Sequence, residues 1–117
     1  MNMCNIIDSY QFGSISVSGK KYSSDVIIFP DRVRDNWWRK RGHQLCLEDI
    51  AEVITEKPEV LIVGTGASGL MKVLPEVEQT TQARGIKLIA ETTDKACHTY
   101  NNLCRSQRVV AALHLTC

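Results

Sequence analysis

Three glycines, Gly64, Gly66 and Gly69, follow a short apolar run in the spacing G-x-G-x-x-G. In a dinucleotide site this spacing provides a tight bend, a close approach of the backbone to a pyrophosphate, and close packing of the next helix. Glu91, at the end of the next apolar run, mimics the acidic residue that holds a ribose hydroxyl in such sites. The first chemistry to consider for this sequence is therefore nucleotide binding.

Pro75 weakens that interpretation of the glycines. A bound phosphate lies on the N-terminus of a helix that begins inside the glycine turn, whereas proline in a helix interior costs about 3 kcal/mol. We therefore predict that the helix begins at Pro75, with Glu76 and Glu78 in its first turn, where they would repel a phosphate. The glycines then form a strand-exit loop; a true nucleotide loop and a loop for another kind of ligand are the alternatives.

A candidate pocket lies beside this loop, because open α/β sheets commonly bind ligands at the carboxyl ends of their strands. Its candidate ligand-binding residues are Gly64, Thr65, Gly66, Gly69, Glu91, Thr92, Thr93, Tyr100 and Asn101. The structural alternative is a capped helix that presents Tyr100 to the sheet while Asn101 bonds a nearby segment.

A second group of candidates interleaves basic and aromatic side chains: Arg32, Arg34, Trp37, Trp38, Arg39 and Arg41. Such a segment can hold phosphates and stack bases, or bind an anionic partner. The alternative is that one tryptophan fills the core where this connection crosses the sheet, since burying an indole removes about 150–250 Å² from water. Both interpretations leave a small positive rim on the surface.

The histidines, His43, His98 and His114, lack the spacings typical of metal sites. We expect each to be structural and predict no metal site. His114 lies inside the last apolar run, where a buried imidazole is also able to serve as an acid or base. Spacing alone assigns no serine or carboxylate to it, so the sequence provides no catalytic residue.

Five cysteines, an odd number with no C-x-x-C pair, argue against a zinc knuckle and against a closed disulfide framework. Cys97 and Cys104, seven positions apart on one helical stripe, are expected to act as small core hydrophobes. The first residues, Met1 to Asn5, lack the pattern of a signal peptide. These features together predict a reduced, cytoplasmic protein.

The elements that must position these residues form two halves. Short β-branched runs up to Phe29, ended by Pro30, predict antiparallel strands, and apolar residues from Leu47 to Ile54 at helical spacing predict a helix that Pro58 ends. Apolar runs at 60–63, 86–90 and 109–115 alternate with two helical patterns, which predicts a β-α-β-α-β half with buried strands. The expected fold is three-layered α/β, with α+β character at the N-terminus and a mixed sheet.

Length and charge set further bounds. A chain of 117 residues is expected to form a single domain over residues 1–117. A net charge of +1 provides no global field for nucleic acid or membranes, and no run approaches the length of about 20 apolar residues that spans a bilayer. We therefore expect neither nucleic acid nor a membrane as a partner.

Several stretches, in order along nearly the whole chain, resemble a known family. They are Asn36-Trp37-Trp38-Arg39, Gly42-His43, Val60 to Gly66, Gly85-Ile86, the helix residues Thr93, Ala96, Cys97, Thr99-Tyr100-Asn101 and Leu103, and Arg108 to Cys117. Their order and spacing are similar to a small single-domain family of unknown function from bacteria and archaea. Its animal relatives include the adipogenesis-associated domain protein and a mitochondrial complex I assembly factor. Ser106-Gln107 departs from the acidic residue and glycine that relatives often carry.

This resemblance implies a three-layer fold with a mixed sheet and implies no established activity or cofactor. Two functional hypotheses follow. The first is a non-catalytic binding or assembly module with a protein partner. The second is an enzyme or redox-accessory protein that binds a small molecule or nucleotide through the glycine loop.

Overall fold

The computed structural model describes residues 4–117. It begins with an antiparallel meander of three strands, β1 (Ile7–Gln11), β2 (Ser14–Val17) and β3 (Lys20–Tyr22), in which β2 is central. Glycine and serine at the turns permit the tight connections that a meander needs. The predicted antiparallel strands near the N-terminus are therefore confirmed. Met1 to Met3, on which the signal-peptide argument also depends, lie outside the described residues.

The main sheet is mixed and has five strands: β4 (Val26–Ile28), β5 (Val33–Arg34), β7 (Val60–Thr65), β9 (Lys87–Glu91) and β10 (Val109–His114). Their order across the sheet is β5-β4-β10-β7-β9. Strands β7, β9 and β10 run parallel, while β4 runs antiparallel to β10. The predicted mixed sheet and its β-α-β-α-β half are confirmed.

The two central strands, β7 and β10, are buried along their whole length. Alternate residues point to opposite faces, as the period of a strand requires. Ile62 and Ala111 face a core that includes the meander, whereas Leu61 and Val110 face a second core that includes Trp37. The sheet thus forms the middle of three layers, and this explains the near-continuous apolar runs in its strands.

Helix α2 (Pro75–Ala83) begins at its proline, as predicted, with Glu76 and Glu78 in the first turn. Helix α3 (Thr93–Leu103) follows β9 and packs on β7 and β10 through buried Ala96, Cys97 and Tyr100. Proline at the first helical position is tolerated because its missing N–H has no partner within the helix. Both helices of the second half thus begin where their sequences indicate.

The segment between β5 and β7 is more irregular than the apolar spacing predicts. A 3₁₀ turn (Leu47–Ile50) precedes helix α1 (Ala51–Glu56), which ends at Lys57 in a left-handed conformation. Two short parallel strands, β6 (Gln44–Leu45) and β8 (Lys72–Val73), tie this segment to the chain after the glycine loop. The single helix expected from Leu47 to Ile54 is therefore split, because Asp49 accepts a hydrogen bond from the Cys46 amide and tightens the first turn.

Cys4 and Cys104 form a disulfide that joins the N-terminal segment to the end of α3. This corrects the expectation that the cysteines form no closed disulfide and that Cys104 acts only as a core hydrophobe. An odd count requires only that one thiol stay unpaired. Within the described chain Cys46, Cys97 and Cys117 are free, and burial, followed by the nearby Asp94 charge, raises the pKa of the Cys97 thiol to about 12.

Across residues 4–117, no helix combines the length and the apolar character that crossing a bilayer requires.

Candidate functional site

The end of β10 meets the beginning of β4 at one edge of the main sheet. The two strands are antiparallel, with Leu113 opposite Val26. Asp25, just before β4, therefore lies beside His114 and Leu115, which are 89 and 90 positions away in sequence. The carboxyl ends of β7 and β9 lie at the same edge, since both strands run parallel to β10.

The Asp25 carboxylate accepts hydrogen bonds from the end of β10 and from the connection after β5. Its Oδ1 accepts from the Leu115 amide at 2.7 Å, and its Oδ2 lies 2.7 Å from Nδ1 of His114 and 2.8 Å from Nη1 of Arg39. The three side chains are 16%, 8% and 5% exposed in the same order: Asp25, His114, Arg39. They form a largely buried cluster of one acid and two bases, which we call the Asp25 cluster.

Burial raises the pKa of the Asp25 carboxyl, but the hydrogen bonds from Leu115, His114 and Arg39 outweigh burial and hold that pKa below its ordinary value. Asp25 is therefore ionised and can only accept hydrogen bonds. The proton on Nδ1 of His114 must then point to Asp25. The 2.9 Å contact between Nδ1 and Nη2 of Arg39 is consequently a contact of two donors rather than a hydrogen bond.

The second ring nitrogen of His114, Nε2, is buried and has no hydrogen-bond partner among residues 4–117. With a proton held on Nδ1, the neutral form of the imidazole presents a lone pair at Nε2. A buried acceptor without a partner costs about 1–3 kcal/mol. Exposed His43 lies edge-on to this ring, with the ring centroids 6.3 Å apart. The arrangement leaves one free acceptor that is suited to bind a donor or take up a proton.

Arg39 is fixed in place by its own neighbours. Its Nε and Nη2 donate to the Gly42 carbonyl at 3.3 and 3.2 Å, and its guanidinium lies 4.8 Å from the centroid of the Trp37 ring. Trp37 is buried in the second core and donates from Nε1 to the Asp49 carbonyl at 2.9 Å. One tryptophan therefore fills the core, as one of the two interpretations of this segment expected.

Trp38 has the opposite environment, because its side chain is 84% exposed. It lines a cavity of about 500 Å³ that also contacts Ser23, Asp25, Arg39, His114 and Thr116. This volume is in the range of small-molecule sites. The exposed part of this segment is thus the Trp38 indole, which lies beside a cavity that borders the Asp25 cluster.

The backbone amides of the glycine loop donate hydrogen bonds to other groups of the protein. Gly66 N donates to Thr93 Oγ1 at 2.9 Å, Ala67 N to the Thr116 carbonyl at 2.7 Å, and Gly69 N to the Gly66 carbonyl at 3.2 Å. Gly66 has φ +105°, and a Cβ there would lie 2.7 Å from the Cys117 carbonyl oxygen. The loop therefore needs glycine at this position for a close approach to its own chain.

Thr93 connects the glycine loop to the Asp25 cluster. Its Oγ1 accepts from Gly66 and donates to the His114 carbonyl at 2.6 Å. Thr92 takes the N-cap position of α3 without a side-chain capping bond. The polar group that joins these strand ends is thus a buried threonine hydroxyl.

Three other residues of the predicted pocket, Thr65, Glu91 and Asn101, have hydrogen-bond partners within the protein. Thr65 Oγ1 donates to the Glu91 carbonyl at 3.0 Å, and Glu91 Oε1 accepts from Thr99 at 2.6 Å. Asn101 exchanges two hydrogen bonds with the backbone of Ile7. Tyr100 is fully buried against the sheet, and its hydroxyl has no hydrogen-bond partner among residues 4–117. Ligand binding by this set stays a prediction.

The remaining candidate arginines do not join Trp38 in one basic surface. Arg32 pairs with Glu52 and Glu56 at 3.0 Å and lies over Phe29. Arg34 pairs with Glu52 at 3.1 Å. Arg41 is exposed and donates to Gln44 at 3.2 Å. Neighbouring carboxylates thus neutralise much of the positive charge that the sequence concentrates here.

A family model described as "Protein of unknown function (DUF498/DUF598)" matches residues 7–114. The chain belongs to this family. The match confirms the resemblance that the sequence suggested, and it includes Asp25, Arg39, His114 and the glycine loop.

Curated relatives of this DUF498/DUF598 protein include assembly factor 3 of the NADH dehydrogenase [ubiquinone] 1 alpha subcomplex. The mouse protein is 29% identical over 109 residues, which are 91% of this chain and 57% of the relative. The human protein is also 29% identical, over 91% of this chain and 58% of the relative. The chain thus spans less than two thirds of the length of these relatives.

Solved structures show the same fold. A conserved hypothetical protein from Pyrococcus horikoshii OT3 aligns with a TM-score of 0.82 at 27% identity, covering 95% of this chain and 98% of the other. A protein from Bordetella parapertussis aligns with a TM-score of 0.79 at 29% identity, covering 95% of both chains. The predicted fold class is confirmed by these alignments.

Sequence reasoning missed Asp25, the residue that organises the cluster. An available signal was its position, because an acidic residue directly ahead of the buried run Val26–Phe29 must satisfy its charge at a strand end. Its partners were not available from spacing, since Arg39 and His114 come from other elements.

Proposed function

We propose that this DUF498/DUF598 protein is a non-catalytic binding module that assists the assembly of another protein. The relatives whose names describe assembly factors support this proposal. The observation that carries it is Trp38, an exposed indole on a segment that is otherwise anchored.

The anchoring of this segment comes from the residues on both sides of Trp38. The backbone amide of Trp37 donates to the Asp25 carbonyl at 2.9 Å, and the Lys40 amide donates to Asp49 Oδ1 at 2.9 Å. Arg39 is held by the Asp25 cluster. The Trp38 indole therefore lies on a fixed backbone, so binding through this indole costs little conformational entropy in the segment.

The surroundings of Trp38 also suit a protein interface. Tryptophan is enriched among the residues that contribute most to binding, and polar groups typically surround such residues at the rim. Here Lys40 pairs with Glu48 at 3.2 Å, and Arg34 pairs with Glu52. These paired charges favour a protein partner over nucleic acid, because few phosphates can be neutralised by arginines already paired.

The test is chemical cross-linking in cells of the source organism, followed by affinity purification of this protein. Three forms are compared: the wild type, Trp38→Ala and the control Phe12→Ala. Phe12 is 65% exposed and lies in the turn between β1 and β2. We expect one stoichiometric partner with the wild type and the control, and at least about tenfold less of it with Trp38→Ala. Recovery of the same partner in equal amount with Trp38→Ala, or no stoichiometric partner with the wild type, would reject the proposal.

We also propose a cytoplasmic location. The free thiols Cys46, Cys97 and Cys117 favour a reducing compartment, whereas the Cys4–Cys104 disulfide favours an oxidising one. Cell fractionation with rapid thiol alkylation tests the location: recovery of the protein in a membrane-enclosed compartment would reject it.

A further inference from the structure

We propose that the cavity lined by Trp38 and His114 binds a small uncharged molecule that carries an O–H or N–H donor on a flat ring, with Nε2 of His114 as the acceptor. This inference does not depend on the assembly role. It assigns a ligand site to the Asp25 cluster, which the sequence did not identify.

The charges of the cluster favour an uncharged ligand. Asp25 and Arg39 carry opposite charges and are joined by a hydrogen bond of 2.8 Å. The Leu115 amide donates to one oxygen of Asp25, and the Gly42 carbonyl accepts two hydrogen bonds from Arg39. Since each charge is already compensated inside the protein, neither an anion nor a cation finds an unpaired counter-charge in the cluster.

The free atom of the cluster determines which polar group the ligand must bring. The carboxylate of Asp25 holds a proton on Nδ1 of His114, so Nε2 of the neutral imidazole offers a lone pair that accepts from a donor. Nε2 is buried and has no partner within residues 4–117. A ligand O–H or N–H would satisfy this acceptor, whereas a ligand that only accepts hydrogen bonds would leave it without a partner.

The walls of the cavity favour a flat ring. Trp37 and Trp38 both contribute to its lining, and an indole face packs well on another aromatic ring. Ser23 and Thr116 add small hydroxyl groups to the same lining. Apolar walls with a few placed polar groups are typical of small-molecule sites.

The experiment compares two probes that differ in one donor, p-cresol and its methyl ether 4-methylanisole, by NMR of ¹⁵N-labelled protein. We expect p-cresol to shift the Nε2 resonance of His114 and the indole resonance of Trp38. The methyl ether should bind about tenfold more weakly, because it lacks the donor that Nε2 requires. Both probes are added to the wild-type protein, so this comparison does not depend on the folding of a variant.

Variants assign the two contacts. His114→Asn retains a donor near the position of Nδ1 for Asp25 but removes Nε2, so the two probes should bind it with equal affinity. Trp38→Ala removes an exposed ring and should weaken both probes, and Phe12→Ala should weaken neither. Because His114→Asn leaves Trp38 in place, it should retain the protein partner of the assembly module, which separates the two proposals.

Three results would overturn the inference. They are the absence of p-cresol binding up to its solubility limit, equal binding of the two probes to the wild type, and shifts confined to residues away from His114 and Trp38.

Discussion

Nδ1 of His114 lies 2.7 Å from Oδ2 of Asp25, although 89 positions separate the two residues in sequence. The contact depends on the antiparallel pairing of β4 with β10, which brings the beginning of one strand to the end of the other. It fixes the orientation of the imidazole, whose Nε2 has no hydrogen-bond partner among residues 4–117.

Replacing Asp25 should destabilise the fold strongly. Asp25→Ala leaves the Arg39 charge buried without its carboxylate, and we expect a loss of about 3–5 kcal/mol in the free energy of unfolding. Urea denaturation measures this loss. The control Asp35→Ala removes an exposed carboxylate and should change stability by less than about 0.5 kcal/mol. Equal losses in the two variants would contradict a structural role for the Asp25 cluster.

The stability that Asp25 contributes should depend on pH. Its folded-state pKa lies below the ordinary value of 3.8, so the ionised form is favoured by folding. The contribution is complete above that ordinary pKa and is lost as the pH falls through the folded-state pKa. The difference in unfolding free energy between the wild type and Asp25→Asn should therefore shrink in acid, as denaturation measured at several pH values will show. A difference that stays constant down to the acid limit would argue against the lowered pKa.

Gly66→Ala should be among the most damaging substitutions in the glycine loop. The residue has φ +105°, and the new Cβ would lie 2.7 and 2.9 Å from the carbonyl oxygens of Cys117 and Thr116. Backbone strain and overpacking together predict a loss of about 2–4 kcal/mol, measured by thermal or urea unfolding. Gly42→Ala, where a Cβ meets no atom of the described chain within 4 Å, should be close to neutral. Similar effects at both positions would contradict the close approach at Gly66.

Thr93→Val tests the connection between the glycine loop and β10. The substitution keeps the shape of the side chain but removes the hydroxyl that accepts from Gly66 and donates to the His114 carbonyl. Two buried polar groups lose their partner, which should cost about 2–4 kcal/mol in unfolding free energy. Thr55→Val, on the exposed face of α1, provides the matched control. If both variants unfold at the same urea concentration, the hydroxyl of Thr93 has no special role.

Thiol counting tests the Cys4–Cys104 disulfide. The unfolded oxidised protein should expose three thiols, those of Cys46, Cys97 and Cys117, and the reduced protein should expose five, since the sequence has five cysteines. Because the disulfide closes a long loop, Cys4→Ser should lower the unfolding free energy by about 2–5 kcal/mol under oxidising conditions and have little effect under reducing ones. Five thiols without reductant would show that the two cysteines do not pair.

The sequence by itself determined the order of the long strands and of helices α2 and α3. Three local patterns were informative: the apolar run that ends at Gly64, the proline at the start of α2 and the apolar stripe of α3. The spacing of apolar residues distinguishes a helix from a strand, and proline and glycine mark where an element begins or ends. They were sufficient for the mixed sheet and for the interpretation of the glycines as a strand exit. They also identified His114 as a buried imidazole without a known partner.

Only the tertiary structure decided which residues surround that imidazole. Asp25, Arg39 and His114 come from the beginning of β4, the connection after β5 and the end of β10, and they meet because the chain returns to the same edge of the sheet. The same packing buries Trp37 and exposes Trp38, two neighbours that composition could not tell apart. Strand pairing across long sequence separations depends on the packing of the whole core, so the spacing of residues along the chain does not predict these contacts.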